Sequence, residues 1–104
     1  MITNVRGIYE PSHSIVAQGS QVKRYEKEGY YKKYGGNGTY RMVKPSKTII
    51  RFNVNGEIRE QSVKQLIRDT FGIVNVSKDH LDRLINEYEL DYSDNVGLFV
   101  KSKR

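Results

Sequence analysis

No cysteine occurs in the 104 residues. That excludes disulfides, thiolate-ligated zinc and thiol nucleophiles, and it fits a reducing compartment. Tryptophan is also missing, and proline occurs only twice, so the chain is not a proline-rich linker. No apolar run approaches the roughly 18 residues of a membrane-spanning helix. The N-terminus lacks the basic-then-apolar pattern of a signal peptide, so the expected location is the cytoplasm, with no membrane partner.

Catalytic signatures are equally scarce. The two histidines, His13 and His80, are far apart in sequence, with no His-x-His spacing around either. A zinc site is not expected from them. Neither a Gly-x-Ser-x-Gly elbow nor a Walker-type loop is present. Gly35-Gly36-Asn37-Gly38 is glycine-rich, but no Lys-Ser/Thr follows it, and it reads as a loop. Glu87/Glu89 and Asp91/Asp94, with Asp79 and Asp82, form an acidic group that reads as a solvated face or a contact for a basic partner. Nothing assembles a nucleophile, a base and an orienting group. The expectation is a non-enzyme with no cofactor and no metal.

What the chain does have is clustered positive charge. The net charge is +6, the isoelectric point is about 9.6 and the mean hydropathy is −0.70. Residues 1–52 hold ten Lys/Arg and three acids, for +7, whereas residues 53–104 hold eight and nine, for −1. Between Ser20 and Arg51 lie nine Lys/Arg, five Tyr and two acids. Cations neutralise phosphates and release their counterions, and tyrosine rings offer flat faces to bases. The candidate phosphate contacts are Lys23, Arg24, Lys27, Lys32, Lys33, Arg41, Lys44, Lys47 and Arg51. Tyr30, Tyr31, Tyr34 and Tyr40 are the candidate stacking rings. The competing explanation is that eight Tyr serve as the large apolar core residues of a chain with no Trp and three Phe.

At this length a single domain, residues 1–104, is expected. Met1 to Ile8 reads as an edge strand or a loose terminus, and Ile15–Ala17 as a short strand with Val22–Tyr25 as its hairpin partner. Gly29–Gly38 reads as a loop or loose hairpin, and Thr39–Val43 as a strand. The clearest signal is Thr48–Ser62, where Ile49, Ile50, Phe52 and Val54 lead into Asn55-Gly56, the strongest short-range hairpin cue. Ser62 is placed to cap a helix whose Val63, Leu66, Ile67, Thr70 and Phe71 form one apolar stripe, with Gly72 as its stop. On the polar side of that helix, Lys64 and Arg68 are placed to reach a groove. Ser77 caps a second helix, with Asp79 in its first turn and a stripe of Leu81, Leu84, Ile85 and Tyr88. Asp91–Asn95 reads as a turn, and Val96–Val100 as a last strand before the basic Lys101, Lys103 and Arg104. The class is α+β: a small antiparallel sheet with two helices packed on one face. The two helices also suggest a helix-turn-helix, but a recognition helix with Asp79, Asp82, Glu87 and Glu89 would turn acids towards phosphate.

Two blocks resemble the small DNA-binding module that precedes the nuclease in phage HNH homing endonucleases. Ile15 to Arg24 is similar to that family's apolar-x-x-x-Gly-x-Val-Arg segment, with one extra residue. Tyr40 to Phe71 resembles its Gly-Tyr-x-x-Val strand, Lys-Asn-Gly hairpin turn and Val-x-x-Leu-Val-x-x-x-Phe helix, with Asn55-Gly56 at the turn and Val63, Leu66, Ile67 and Phe71 on the helix. Lys64 stands where the family commonly has His, and the His-Asn-His nuclease motif is absent from these residues. The resemblance implies a hairpin followed by a helix and a nuclease-less DNA-binding relative, phage-encoded or bacterial, with DNA favoured over RNA. The alternative function is an inhibitor or adaptor that docks on a host protein, such as a defence-system nuclease or a polymerase, because Tyr and Arg are also favoured at protein interfaces.

Overall fold

Eight strands and three α-helices follow one another along the chain of this computed structural model, which describes residues 1–104. They are β1 (Ile2–Glu10), β2 (His13–Gln18), α1 (Val22–Lys27), β3 (Tyr31–Gly36), β4 (Thr39–Lys44), β5 (Lys47–Val54), β6 (Glu57–Ser62), α2 (Lys64–Phe71), α3 (Lys78–Glu87), β7 (Tyr88–Ser93) and β8 (Gly97–Lys103). The fold is α+β, with helices packed against antiparallel strands. The strands divide among three sheets, ordered β1-β5-β6, β2-β4-β3 and β7-β8. The chain falls into two units: Met1–Tyr9 with Thr48–Arg104, and Glu10–Lys47. No helix is long and apolar enough to cross a membrane.

In the first unit β5 alternates as the pleat demands, burying Thr48, Ile50, Phe52 and Val54 on one side. Helix α2 adds Ile67, α3 adds Leu81 and Leu84, and the β7–β8 pair adds Leu90 and Leu98 to one core. Fully burying such a side chain contributes about 1.5–3 kcal/mol. Asn55 and Gly56 both have positive φ, 53° and 85°, as a type I′ hairpin turn requires. Gly72 ends α2 at φ 65°, its N–H donating to Arg68 O over 2.8 Å. Ser77 starts α3, and its N–H and hydroxyl both meet His80 Nδ1, at 3.1 and 2.8 Å. β1 is an ordered edge strand. A Cβ on its Gly7 would lie 2.8 Å from Ile85 Cδ1, so β1 presses its bare backbone on α3.

Three boundaries differ from the sequence reading. Ser62 stays in β6, paired with Ile49, so Val63 rather than Ser62 holds the cap position of α2. Tyr88 leaves the helix for β7, where it pairs with Lys103. The turn expected over Asp91–Asn95 shortens to residues 94–96, because Leu90, Asp91, Tyr92 and Ser93 all pair with β8.

In the second unit the hairpin partner expected at Val22–Tyr25 is instead helix α1. β2 ends where Gly19 N–H donates to Gly38 O over 3.0 Å and Gln18 N–H donates to Gln21 Oε1 over 3.1 Å. These bonds turn the chain into a short 3₁₀ turn that feeds the helix. The true partner of β2 is β4, and β4 also pairs with β3. The glycine cluster is therefore no loop. Tyr31–Gly36 is strand β3, and Asn37 and Gly38, at φ 55° and 78°, make a second Asn-Gly turn like that at Asn55-Gly56.

Candidate nucleic-acid interface

The second unit holds eight Lys/Arg and three acids, for +5, whereas the first unit holds ten and nine, for +1. Most of the chain's surplus charge therefore belongs to 38 residues, Glu10–Lys47, built around one three-stranded sheet. Cross-strand partners share a face of a sheet, so the register sorts the side chains. Ser14 lies opposite Val43, Val16 opposite Arg41, Tyr31 opposite Val43 and Tyr34 opposite Arg41. These six residues make one face. His13, Ile15, Ala17, Lys32, Gly35, Tyr40, Met42 and Lys44 make the other.

Tyr31 and Tyr34 are three residues apart, and in a regular strand side chains at that spacing point to opposite faces. Here the register of β3 against β4 slips between Lys32 and Tyr34, a β-bulge with Lys33 as the extra residue. The bulge returns both rings to the same face. That face is open: Tyr34 is 61% exposed, Tyr31 50% and Val16 65%. Such exposure on three neighbouring large side chains shows that the rings are not core filling.

Arg41 is fixed between these residues. Its Nε donates to the Tyr34 hydroxyl and its Nη1 to Ser14 Oγ, each at 2.8 Å. A guanidinium has five N–H donors in a rigid fork, so these two bonds leave three free. Its Cζ stands over the Tyr34 ring, 5.8 Å from the centroid, and Tyr34 keeps most of its surface exposed. Val16, Tyr34, Gly36, Thr39 and Arg41 also line a shallow hollow of about 140 Å³ at the end of β3, which Gly35 and Tyr40 of the opposite face reach as well.

The opposite face is occupied. Met42 and Ala17 are buried. Tyr30 packs edge-on against Tyr25 at 5.6 Å, and its hydroxyl shares a 2.8 Å hydrogen bond with His13 Nδ1. Lys44 Nζ lies 5.8 Å from the Tyr30 ring. Tyr40 lies across Gly35, where a Cβ would come within 2.1 Å of Tyr40 Cδ1, and Lys32 Nζ sits 4.8 Å above its ring. Tyr30 and Tyr40 are thus half-buried and engaged by neighbouring side chains, unlike Tyr31 and Tyr34. Lys23, Arg24 and Lys27 stand exposed on α1, Lys33 on the bulge and Lys47 at the start of β5.

The remaining candidates lie in the first unit. Arg51 is paired with Glu60 across β5 and β6, so its charge is already partnered. Arg68 Nε donates to Val74 O over 3.0 Å, bracing the end of α2. Lys64 is half-buried on the first turn of the same helix. Arg59, on β6, is held above its ordinary pKa by its hydrogen bond to Glu57, with Tyr92 adding to the effect. His13 and His80 each bond a neighbouring hydroxyl.

Two contributors were not evident from the sequence, Ser14 and Val16. Their signal was the β2 alternation, which places them opposite the buried Ala17 side. Comparison with known protein families, with curated proteins and with solved structures gave no match.

Proposed function

We propose that this protein is a small, non-enzymatic nucleic-acid-binding protein acting in the cytoplasm, and that the open face of its β2-β4-β3 sheet is the contact surface. The observation that carries this reading is that Arg41, bonded to Tyr34, shares one face with two exposed tyrosines, Tyr34 and Tyr31, on a unit of net charge +5. Polyanions are drawn to such charge, and flat rings give sequence-tolerant stacking. The lysines of α1 and of the bulge would add phosphate contacts that position rather than specify. The resemblance to the homing-endonuclease module favours DNA over RNA and a phage or bacterial source.

The test is fluorescence anisotropy of labelled nucleic acids against the purified protein across a salt series. If six to ten phosphates are engaged, affinity falls about 10³-fold or more between 50 and 200 mM salt. A shallow slope, or no binding at 50 mM salt, overturns the reading.

A second reading, docking on a host protein as an inhibitor or adaptor, is favoured by Val16. An aliphatic side chain 65% exposed offers little to phosphate but suits the centre of a protein interface. Absence of nucleic-acid binding would turn attention to that reading.

A further inference from the structure

We infer that the open face takes single-stranded nucleic acid in preference to duplex, with two neighbouring bases placed on Tyr34 and Tyr31 and the intervening backbone held by Arg41. This rests on the nucleic-acid reading above and adds the strand type.

Three features carry it. First, the face is a sheet with exposed rings, and a ring can stack on a base only when that base is free of its own neighbours. In a duplex the base faces are covered. Second, the spacing fits. Tyr31 and Tyr34 lie opposite Val43 and Arg41, two residues apart on β4, a separation of about 7 Å. Stacked bases in a duplex rise only about 3.4 Å per strand, so the two rings suit bases drawn apart from each other. Third, Arg41 is fixed by Tyr34 and Ser14 at 2.8 Å each and still has donors for a phosphate between those bases. Side chains entering a duplex groove come from an inserted helix or ribbon. Here the rings and the guanidinium lie on the broad face of the sheet.

The occupant is set by charge. The unit's +5 complements a polyanion, and two rings beside a guanidinium complement its bases. Gly36 adds to the access, because no atom lies within 4 Å of where its Cβ would stand, leaving that end of β3 bare.

The experiment titrates the full chain into labelled 12-nucleotide oligothymidine, 12-nucleotide oligouridine and a 12-base-pair duplex at the same salt, with wild type, Tyr31→Ala and Tyr34→Ala. The expected result is at least tenfold tighter binding of one or both single strands than of duplex. Each alanine variant should weaken single-strand binding by about 5- to 150-fold, the loss of one stacked base, and leave duplex binding little changed. The two single-strand arms report whether DNA or RNA is preferred.

Duplex binding equal to or tighter than single-strand binding overturns the inference and leaves the nucleic-acid reading standing. Binding to none of the three at 50 mM salt overturns both. Should either variant fail to fold, tyrosine fluorescence of the wild type decides, since no tryptophan masks it. Quenching by oligothymidine or oligouridine but not by duplex supports stacking, and unchanged emission at saturation refutes it.

Discussion

Tyr40 lies across Gly35 on the covered face of the second unit's sheet, so close that a Cβ at Gly35 would come within 2.1 Å of Tyr40 Cδ1 and 2.8 Å of Thr39 O. The glycine is there to admit the ring. Gly35→Ala should therefore expel Tyr40 and destabilise the unit by about 1–3 kcal/mol, the usual cost of overpacking. Gly36→Ala, one residue on, meets no atom within 4 Å and should change stability by no more than about 0.5 kcal/mol. Thermal melts of the two variants check this, and equal melting temperatures would refute the packing assigned to Tyr40.

Gly72 acts through its backbone alone. It sits at φ 65°, with no atom near the place of a Cβ. Gly72→Ala should cost about 1–2 kcal/mol, the left-handed penalty of a residue with a Cβ. Gly72→Asn should cost less, since asparagine tolerates that conformation. A melting temperature lowered more by alanine than by asparagine is the expected order.

The first unit was largely legible because its signals were strong and local. The Asn55-Gly56 turn, the α2 stripe ending at Gly72 and the Ser77 cap all lie where the periodicity puts them. The helix-to-strand change at Tyr88 was hidden, because its ring still packs on the core from β7, and an apolar position looks alike in both periods. In the second unit the same Asn-Gly signal recurs at Asn37-Gly38 but is obscured by the two flanking glycines, which lack side chains and so carry no alternation. The tyrosines were visible as a group, yet their division between open and covered faces depends on the bulge at Lys33. A register slip is a property of two strands together, and no spacing within β3 reveals it.

Lys33 offers a direct check on that slip. As the extra residue of the bulge, it can be deleted without altering which β4 residues Tyr31 and Tyr34 face. Deletion should leave both rings on the open face and remove one cation. For a single strand, the slope of log affinity against log salt should become shallower by about 0.7, one phosphate's worth, and no stacked base should be lost. A drop as large as that of Tyr31→Ala would mean that the bulge itself shapes the site. The bulge and the Lys32-Lys33 pair also guard β3 as a sheet edge, so the deletion variant should be watched for self-association in sedimentation runs.

At Arg41 charge and geometry can be separated by substitution. Arg41→Lys keeps the positive charge but cannot reproduce the fork that reaches Tyr34 and Ser14 together. Screening by salt depends on the number of charges, so the salt slope should stay the same. Affinity at fixed salt should fall about tenfold, one hydrogen bond's worth of positioning. Ser14→Ala, which removes one of Arg41's two anchors and no charge, should give a smaller loss in the same direction. If Arg41→Lys binds as tightly as wild type, the guanidinium serves only as a charge, and the two hydrogen bonds merely tie the strands of the sheet together.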